Sequence, residues 1–285
     1  MQVTARGLTF DVHTGGPDTG EPALLLHGFP QHSRQWDLVT PVLHGTGIRT
    51  MALDQRGYSP GARPDGVEAY RIGECVADAV AILDALGLDT AHVVGHDWGA
   101  VVGWHLAARH PDRVATLTAL SVPHPLAMAA ALGSDDDQRR RSSYVRLFRE
   151  EGKAEQVLLA DDAQRLRAIL VGVPSDRAEH YVNPMREPAA LTAALNWYRA
   201  MSAADLAGLG PVTVPTTYLW SDGDVAIGRT AANGCAAHVR GEFRFVELTG
   251  VTHWVTDEAP SAVADAVVER IGQGSLGRLP PAATG

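Results

Sequence analysis

The most constraining feature of this chain is a five-residue turn, Gly95-His96-Asp97-Trp98-Gly99, between an apolar run and a helical pattern. The apolar run covers residues 91–94, and a helix is predicted over residues 100–110, where Pro111 ends it. So tight a strand-to-helix turn needs small residues on both sides of its centre, a condition that the two glycines meet. The side chain of Asp97 is then expected at the carboxyl ends of the strands, where α/β sheets bind ligands. The simpler alternative is an N-cap aspartate on an ordinary helix.

Strand-like and helical patterns alternate along most of the chain. Residues 3–13 read as one extended segment, and helices are predicted at residues 72–86 and 260–271. Further strands are predicted at residues 23–26, 49–53, 91–94, 114–122, 216–220 and 243–247. This alternation predicts an α/β fold with a mostly parallel sheet between two layers of helices.

The alternation is interrupted once. Residues 126–209 contain helical stretches and no convincing strand. We therefore expect an α/β core formed by residues 1–125 and 210–271, with an inserted helical cap at residues 126–209. Residues 272–285 are rich in Gly, Pro and Ala and are expected to form a flexible tail.

Composition excludes several classes of function. Among 285 residues, 33 are acidic and 24 are Lys or Arg, and a net charge of −9 argues against a nucleic-acid partner or a polybasic membrane patch. No apolar run reaches about 18 residues and no leader-like segment is visible, so we expect a cytoplasmic protein without a membrane partner. Two distant cysteines and scattered histidines indicate neither a disulfide framework nor a metal site. No cofactor is expected, and the oligomeric state cannot be read from the sequence.

Candidate partners for Asp97 follow in the order nucleophile, acid, histidine, which is the order of hydrolases. Asp224 lies four residues past the predicted strand end at Trp220 and is the preferred acid, with Asp222 as the alternative. His253 lies in the loop between the last strand and the last helix. Upstream, the turn His27-Gly28-Phe29-Pro30 follows a buried strand. The backbone N–H groups of Phe29 and Trp98 would then form an oxyanion hole, and both residues would contact the substrate.

A second motif, Gly57-Tyr58-Ser59-Pro60-Gly61, has the pattern of a serine-hydrolase turn. Pro60 has no N–H to donate to an oxyanion, and it disfavours a helix starting at Ser59. We therefore interpret this segment as a loop.

An aspartate nucleophile restricts the chemistry. A carboxylate is a poor nucleophile for esters and amides but a good one for displacement at an sp³ carbon. The product is an ester of Asp97 itself, which water activated by His253 would hydrolyse with Asp224 as the partner of the imidazole. The expected reactions are epoxide opening and carbon–halogen cleavage.

These motifs resemble those of α/β-hydrolase-fold epoxide hydrolases of the soluble type, over residues 23–271. His27-Gly28-Phe29-Pro30 and the Asp97 turn are similar to two family motifs. Leu195-Asn196-Trp197-Tyr198-Arg199, and the segment beginning Tyr144-Val145-Arg146, resemble those that carry the family's two oxygen-protonating tyrosines. The resemblance thus implies an α/β-hydrolase fold, epoxides as substrates, and acid roles for Tyr198 and Tyr144.

Other functions remain open. A haloalkane or haloacid dehalogenase would use the same nucleophile, although Phe29 stands where dehalogenases often have a halide-binding asparagine. Another small-molecule hydrolase, or a ligand-binding protein that has lost turnover, is also compatible with the fold.

Overall fold

Eight strands form one sheet in a computed structural model that describes residues 1–276. In chain order they are β1 (Gln2–Ala5), β2 (Leu8–Gly15), β3 (Glu21–Leu26), β4 (Ile48–Leu53), β5 (Ala91–His96), β6 (Val114–Leu120), β7 (Thr216–Ser221) and β8 (Phe243–Leu248). Across the sheet the order is β1-β2-β4-β3-β5-β6-β7-β8. Strands β3 to β8 pair in parallel, whereas β2 is antiparallel to both of its neighbours. The predicted α/β-hydrolase fold with a mostly parallel sheet is confirmed.

The prediction of one extended segment over residues 3–13 was wrong. The chain reverses at Arg6 and Gly7, both of which have positive φ, and β1 and β2 form a hairpin. The first turn residue is an arginine, which gives a weak turn signal because positive φ is unusual for it.

Twelve α-helices lie in the described part of the chain. They are α1 (Thr40–Gly45), α2 (Ile72–Ala85), α3 (Trp98–Arg109), α4 (Pro125–Ser134), α5 (Asp136–Arg141), α6 (Tyr144–Phe148), α7 (Lys153–Ile169), α8 (Ser175–Met185), α9 (Pro188–Ala200), α10 (Arg229–Asn233), α11 (Val255–Glu258) and α12 (Pro260–Leu276). Helices α4 to α9 occupy the chain between β6 and β7, and the described residues 126–209 contain no strand. Within α7, residues 160–163 leave the helical conformation and divide the helix in two.

Strands β3 to β7 are buried on both faces over most of their length, as their apolar runs predict. Successive side chains of β3 point to opposite faces, so Leu24 and Leu26 join one apolar cluster while Leu25 joins the other. Helices α2 and α3 cover the first face, and α1 and α12 cover the second.

The last helix is longer than the sequence predicts. Helix α12 continues through residues 272–276, which were expected to belong to a flexible tail. At residue 274 the helix passes so close to β6 that a Cβ atom would lie 2.6 Å from Cγ2 of Thr116. Gly274 has no Cβ atom and therefore lets the helix continue past this strand. The rest of the predicted tail, residues 277–285, lies outside the described residues.

The sheet positions four candidate site residues at one edge. Phe29 follows β3, Asp97 follows β5, Asp224 follows β7 and His253 follows β8. Because these strands are parallel, their carboxyl ends lie side by side, and residues more than 200 positions apart meet there.

Candidate active site

Asp97 lies at the sharp turn between β5 and α3. Its backbone has φ 53° and ψ −119°, a conformation that a residue other than glycine rarely adopts. The turn is closed by tight contact between its two ends, since a Cβ atom on Gly95 would lie 2.2 Å from the carbonyl oxygen of Gly99. The turn therefore has the geometry of the nucleophile elbow described for this sequence pattern.

The carboxylate of Asp97 is held by backbone N–H groups. The N–H of Phe29 donates to Oδ1 of Asp97 across 2.8 Å. Burial acts to raise the pKa of Asp97, but His253 and the N–H of Trp98 stabilise the anion, and the net effect is a lowered pKa. Gly28 makes room for this arrangement, because a Cβ atom there would lie 2.2 Å from Oδ1 of Asp97. The residues expected to form an oxyanion hole thus both face the candidate nucleophile.

His253 connects Asp97 to Asp224. Its Nδ1 lies 2.8 Å from Oδ2 of Asp224, and its Nε2 lies 3.5 Å from Oδ2 of Asp97. Asp222, the alternative acid, points elsewhere and accepts a hydrogen bond from the N–H of Gly250 at 2.7 Å. The structure therefore brings Asp224, and not Asp222, to the imidazole.

The electrostatic environment of His253 favours its charged form. Burial alone would lower the pKa of the imidazole, but Asp224 and Asp97 together raise it to about 10. The Asp224 side chain is fully buried, and its second oxygen, Oδ1, accepts N–H groups from Ala226 at 2.8 Å and from Ile227 at 3.0 Å. Those two hydrogen bonds leave Oδ2 free for His253.

Tyr144 on α6 and Tyr198 on α9 line the same cavities as Asp97. Their ring centroids are 6.2 Å apart, and Tyr198 packs edge-on against Trp98 and Phe29 at 5.1 and 5.6 Å. Tyr198 is buried, whereas Tyr144 is 37% exposed. Loss of water around the phenols, followed by the negative charge of Asp97, raises the pKa of both groups. Both hydroxyl groups thus remain protonated at neutral pH and can donate hydrogen bonds.

Two cavities, of about 450 and 490 Å³, meet at this centre, and Asp97, Tyr144 and Tyr198 line both of them. His253 and Phe29 line the first cavity, and Trp98 lines the second. Apart from these groups, the first cavity is mostly apolar, with walls that include Leu158, Ile169 and Trp254. The space suits an apolar small molecule whose reactive group lies next to Asp97.

Sequence reasoning missed two residues that fix the backbone of His253. Nε2 of His96, inside the elbow motif, lies 2.9 Å from the carbonyl oxygen of His253. The hydroxyl of Ser121, which follows β6, donates to the same oxygen at 3.0 Å. No local pattern marks either contact, because each joins residues more than 130 positions apart.

Ser59, in the second motif, has a structural role. Its backbone is extended, as the loop interpretation requires, and it precedes a short 3₁₀ turn over Pro60–Ala62. The buried hydroxyl donates to the carbonyl of Asp54 at 2.6 Å and accepts the N–H of Asp11 at 2.9 Å. It joins the loop to β2 and lies outside the two cavities.

Residues 1–276 contain neither a cluster of metal-ligating side chains nor a membrane-spanning helix. No group of three or more His, Cys, Asp or Glu side chains in this part of the chain is placed to hold a metal ion. Over the same residues, no helix has the length and apolar character needed to cross a membrane.

Comparison with known proteins identifies the family of this chain. Residues 22–260 match the family model described as alpha/beta hydrolase fold. The AB hydrolase superfamily protein YfhM of Bacillus subtilis is 33% identical over 275 residues, covering 94% of this chain and 96% of the relative. Epoxide hydrolase A of Mycobacterium tuberculosis is 32% identical over 308 residues, covering 94% and 95%. The crystal structure of Epoxide Hydrolase A from Mycobacterium thermoresistibile matches with a TM-score of 0.84 at 29% identity, covering 95% of this chain and 97% of that one.

The fold is that of a family of hydrolases, and Asp97, Asp224 and His253 lie together at the ends of its strands. The chain belongs to the alpha/beta hydrolase fold family. Within that family it is similar, over nearly its whole length, to proteins named as epoxide hydrolases.

Proposed function

We propose that this chain converts small apolar epoxides to vicinal diols through a covalent ester on Asp97. The observation that carries the proposal is that the two carboxylate oxygens of Asp97 have different contacts. Oδ1 lies 2.8 Å from the N–H of Phe29, whereas Oδ2 lies 3.5 Å from Nε2 of His253. One oxygen is thus held by the candidate oxyanion hole, and the other is free to form a bond.

In the first step Oδ2 attacks an epoxide carbon, and the carbon–oxygen bond of the ring breaks. A hydroxyl of Tyr198 or Tyr144 gives its proton to the leaving oxygen, so the products are a hydroxyalkyl ester and a tyrosinate. The position of both tyrosines beside Asp97 in the two cavities supports this acid role.

In the second step the imidazolium of His253 first returns a proton to the tyrosinate, which restores the tyrosine. The neutral imidazole then takes a proton from water, and the resulting hydroxide attacks Cγ of the Asp97 ester. The negative charge that develops on Oδ1 is stabilised by the N–H groups of Phe29 and Trp98. The Cγ–Oδ2 bond then breaks, and the hydroxyl proton of the new carboxyl group passes to Oδ2, so the diol leaves with Oδ2 and Asp97 is again a carboxylate. His253 remains protonated, and Asp224 supports its positive charge.

The proposal also assigns the domains. Residues 1–125 and 210–271 form the core that carries Asp97, Asp224 and His253, and residues 126–209 form a cap that supplies both tyrosines. The names of the epoxide hydrolase relatives support a small-molecule epoxide as the substrate.

The test is a single turnover with enzyme in excess over styrene oxide in water enriched in ¹⁸O. The mechanism predicts an unlabelled diol and one ¹⁸O atom in the carboxylate of Asp97, detected by peptide mass spectrometry. Direct entry of the label into the diol would overturn the covalent route. A parallel panel of haloalkanes distinguishes the dehalogenase alternative, for which halide release without diol formation is the expected result.

A further inference from the structure

The cap contacts the core beside the candidate acid through one buried side chain. Gln138, on α5, is fully buried. Its Nε2 donates to the carbonyl of Ala226 at 2.8 Å and to the hydroxyl of Ser142 at 2.9 Å. Its Oε1 accepts the N–H of Gly228 at 2.8 Å. The amide therefore spans two backbone groups of a core loop that lies 88 to 90 positions later in the chain.

That core loop, residues 224–228, also holds the carboxylate of Asp224. The N–H groups of Ala226 and Ile227 donate to Oδ1 of Asp224, which leaves Oδ2 facing His253 at 2.8 Å. Gln138 binds the carbonyl of Ala226, which lies between these two donors, and the N–H of Gly228, which follows them. The direction of both donors thus depends on the position that Gln138 gives to the loop.

A second side chain of α5 reinforces this contact. The guanidinium of Arg141 donates to the backbone carbonyl of Asp224 and is itself oriented by Oδ2 of Asp137 at 2.6 Å. Three backbone groups of the loop, on Asp224, Ala226 and Gly228, are therefore bound by one short helix of the cap.

We infer that Gln138 is a positioning residue for ester hydrolysis, which acts by fixing the loop that aims Asp224 at His253. The inference rests on the proposed function. Ring opening needs Asp97 and a tyrosine proton, and Gln138 touches neither of them. Ester hydrolysis needs His253 as a base, and the basicity and orientation of His253 depend on Asp224. Loss of Gln138 should therefore slow the second step and leave the first step unchanged.

The experiment measures the two steps separately in the full-length chain. Styrene oxide is mixed rapidly with enzyme, the reaction is quenched, and the ester on Asp97 is followed by intact mass. The variant Gln138→Met keeps the length of the side chain and removes its hydrogen bonds. Gln156→Met is the matched control, because Gln156 is a solvent-exposed glutamine on α7. Arg141→Met is a second variant that removes the contact with the Asp224 carbonyl together with the ion pair to Asp137, from a side chain that is 31% exposed.

We expect Gln138→Met to slow ester hydrolysis by about 10- to 100-fold, the range associated with small misplacements of a catalytic group. Ester formation should stay within about twofold of the wild-type rate, so the ester accumulates. The midpoint of the pH profile for ester hydrolysis should also fall, because a loosely held Asp224 supports the imidazolium less well. Arg141→Met should change the same step in the same direction, and Gln156→Met should change neither.

Equal rates in wild type, Gln138→Met and Arg141→Met would overturn the inference, as would a parallel loss of both steps. If Gln138→Met does not fold, the rates of Arg141→Met decide in the same way. Absence of an ester in the wild type and in His253→Gln would overturn the covalent mechanism and, with it, this role of Gln138. An ester that forms and disappears equally fast in all variants would overturn the role of Gln138 alone.

Discussion

Nε2 of His253 lies 3.5 Å from Oδ2 of Asp97, so the charge of the candidate nucleophile acts directly on the candidate base. In the free enzyme the two carboxylates around His253 raise its pKa to about 10, and the imidazole is protonated at neutral pH. In the proposed mechanism, formation of the ester removes the charge of Asp97. The pKa of His253 then falls, so the imidazolium can give its proton to the tyrosinate and the neutral imidazole can accept a proton from water.

The first prediction concerns this coupling. Asp97→Asn removes the charge while keeping a residue that tolerates positive φ, so the elbow should persist. The pKa of His253 should drop below the value of about 10 found with both carboxylates present. NMR titration of histidine ring signals, with His253→Gln used to assign the resonance, measures the shift. An unchanged midpoint in Asp97→Asn would show that Asp224 alone sets the basicity of His253.

The second prediction separates the two steps of the reaction. His253→Gln removes the base for ester hydrolysis but leaves Asp97 and both tyrosines in place. Hydrolysis should slow by roughly 10²- to 10⁴-fold, the usual contribution of general acid–base catalysis, and the ester should accumulate. Intact mass should increase by the mass of one epoxide molecule. The double variant Asp97→Asn/His253→Gln is the control and should gain no mass; an adduct there would place the ester on another residue.

The third prediction concerns the proton donors. Replacement of both Tyr144 and Tyr198 by Phe keeps the aromatic walls and removes the hydroxyls, so ring opening should slow by roughly 10²- to 10⁴-fold. Pre-steady-state formation of the ester measures this step. Tyr181→Phe is the matched control, because the hydroxyl of Tyr181 donates to Asp257 at 3.0 Å and not to the reaction centre. Ring opening at the wild-type rate in the double variant would contradict the acid role.

The fourth prediction tests the space around the nucleophile. Gly28→Ala places a Cβ atom 2.2 Å from Oδ1 of Asp97 and must displace the carboxylate. A shift of about 1 Å at a reacting group can cost about 100-fold, so kcat should fall by that order. Gly133→Ala is the control, because the added Cβ meets no atom within 4 Å and lies on helix α4. The control should keep full activity and gain up to about 1 kcal/mol in free energy of unfolding. Equal kcat values in the two variants would argue against a tightly held carboxylate.

Local signals explain which features the sequence could predict. Most strands of the parallel core contain a short apolar run, and glycines on both sides mark the elbow at Asp97, so both features could be located without coordinates. The choice between Asp222 and Asp224 could not be made in that way, since both follow the same strand and only the fold directs one of them towards His253. The hairpin at Arg6 was missed because its turn lacks a strong local signal.

Local sequence patterns do not indicate which distant parts of the chain will contact each other. Gln138 contacts Ala226 across 88 positions, and nothing near either residue marks the pair. The same holds for the contacts of His96 and Ser121 with the carbonyl of His253. In each case a polar group forms a hydrogen bond with a partner that comes close to it only after the chain has folded.

The contacts of α5 with the loop at residues 224–228 have a consequence for enzyme engineering. An exchange of residues 126–209 between related enzymes, made to change substrate range, would also replace the side chains that bind this loop. A chimera should therefore keep a glutamine at the position of Gln138, so that the loop that holds Asp224, the candidate acid, keeps its contact with the cap.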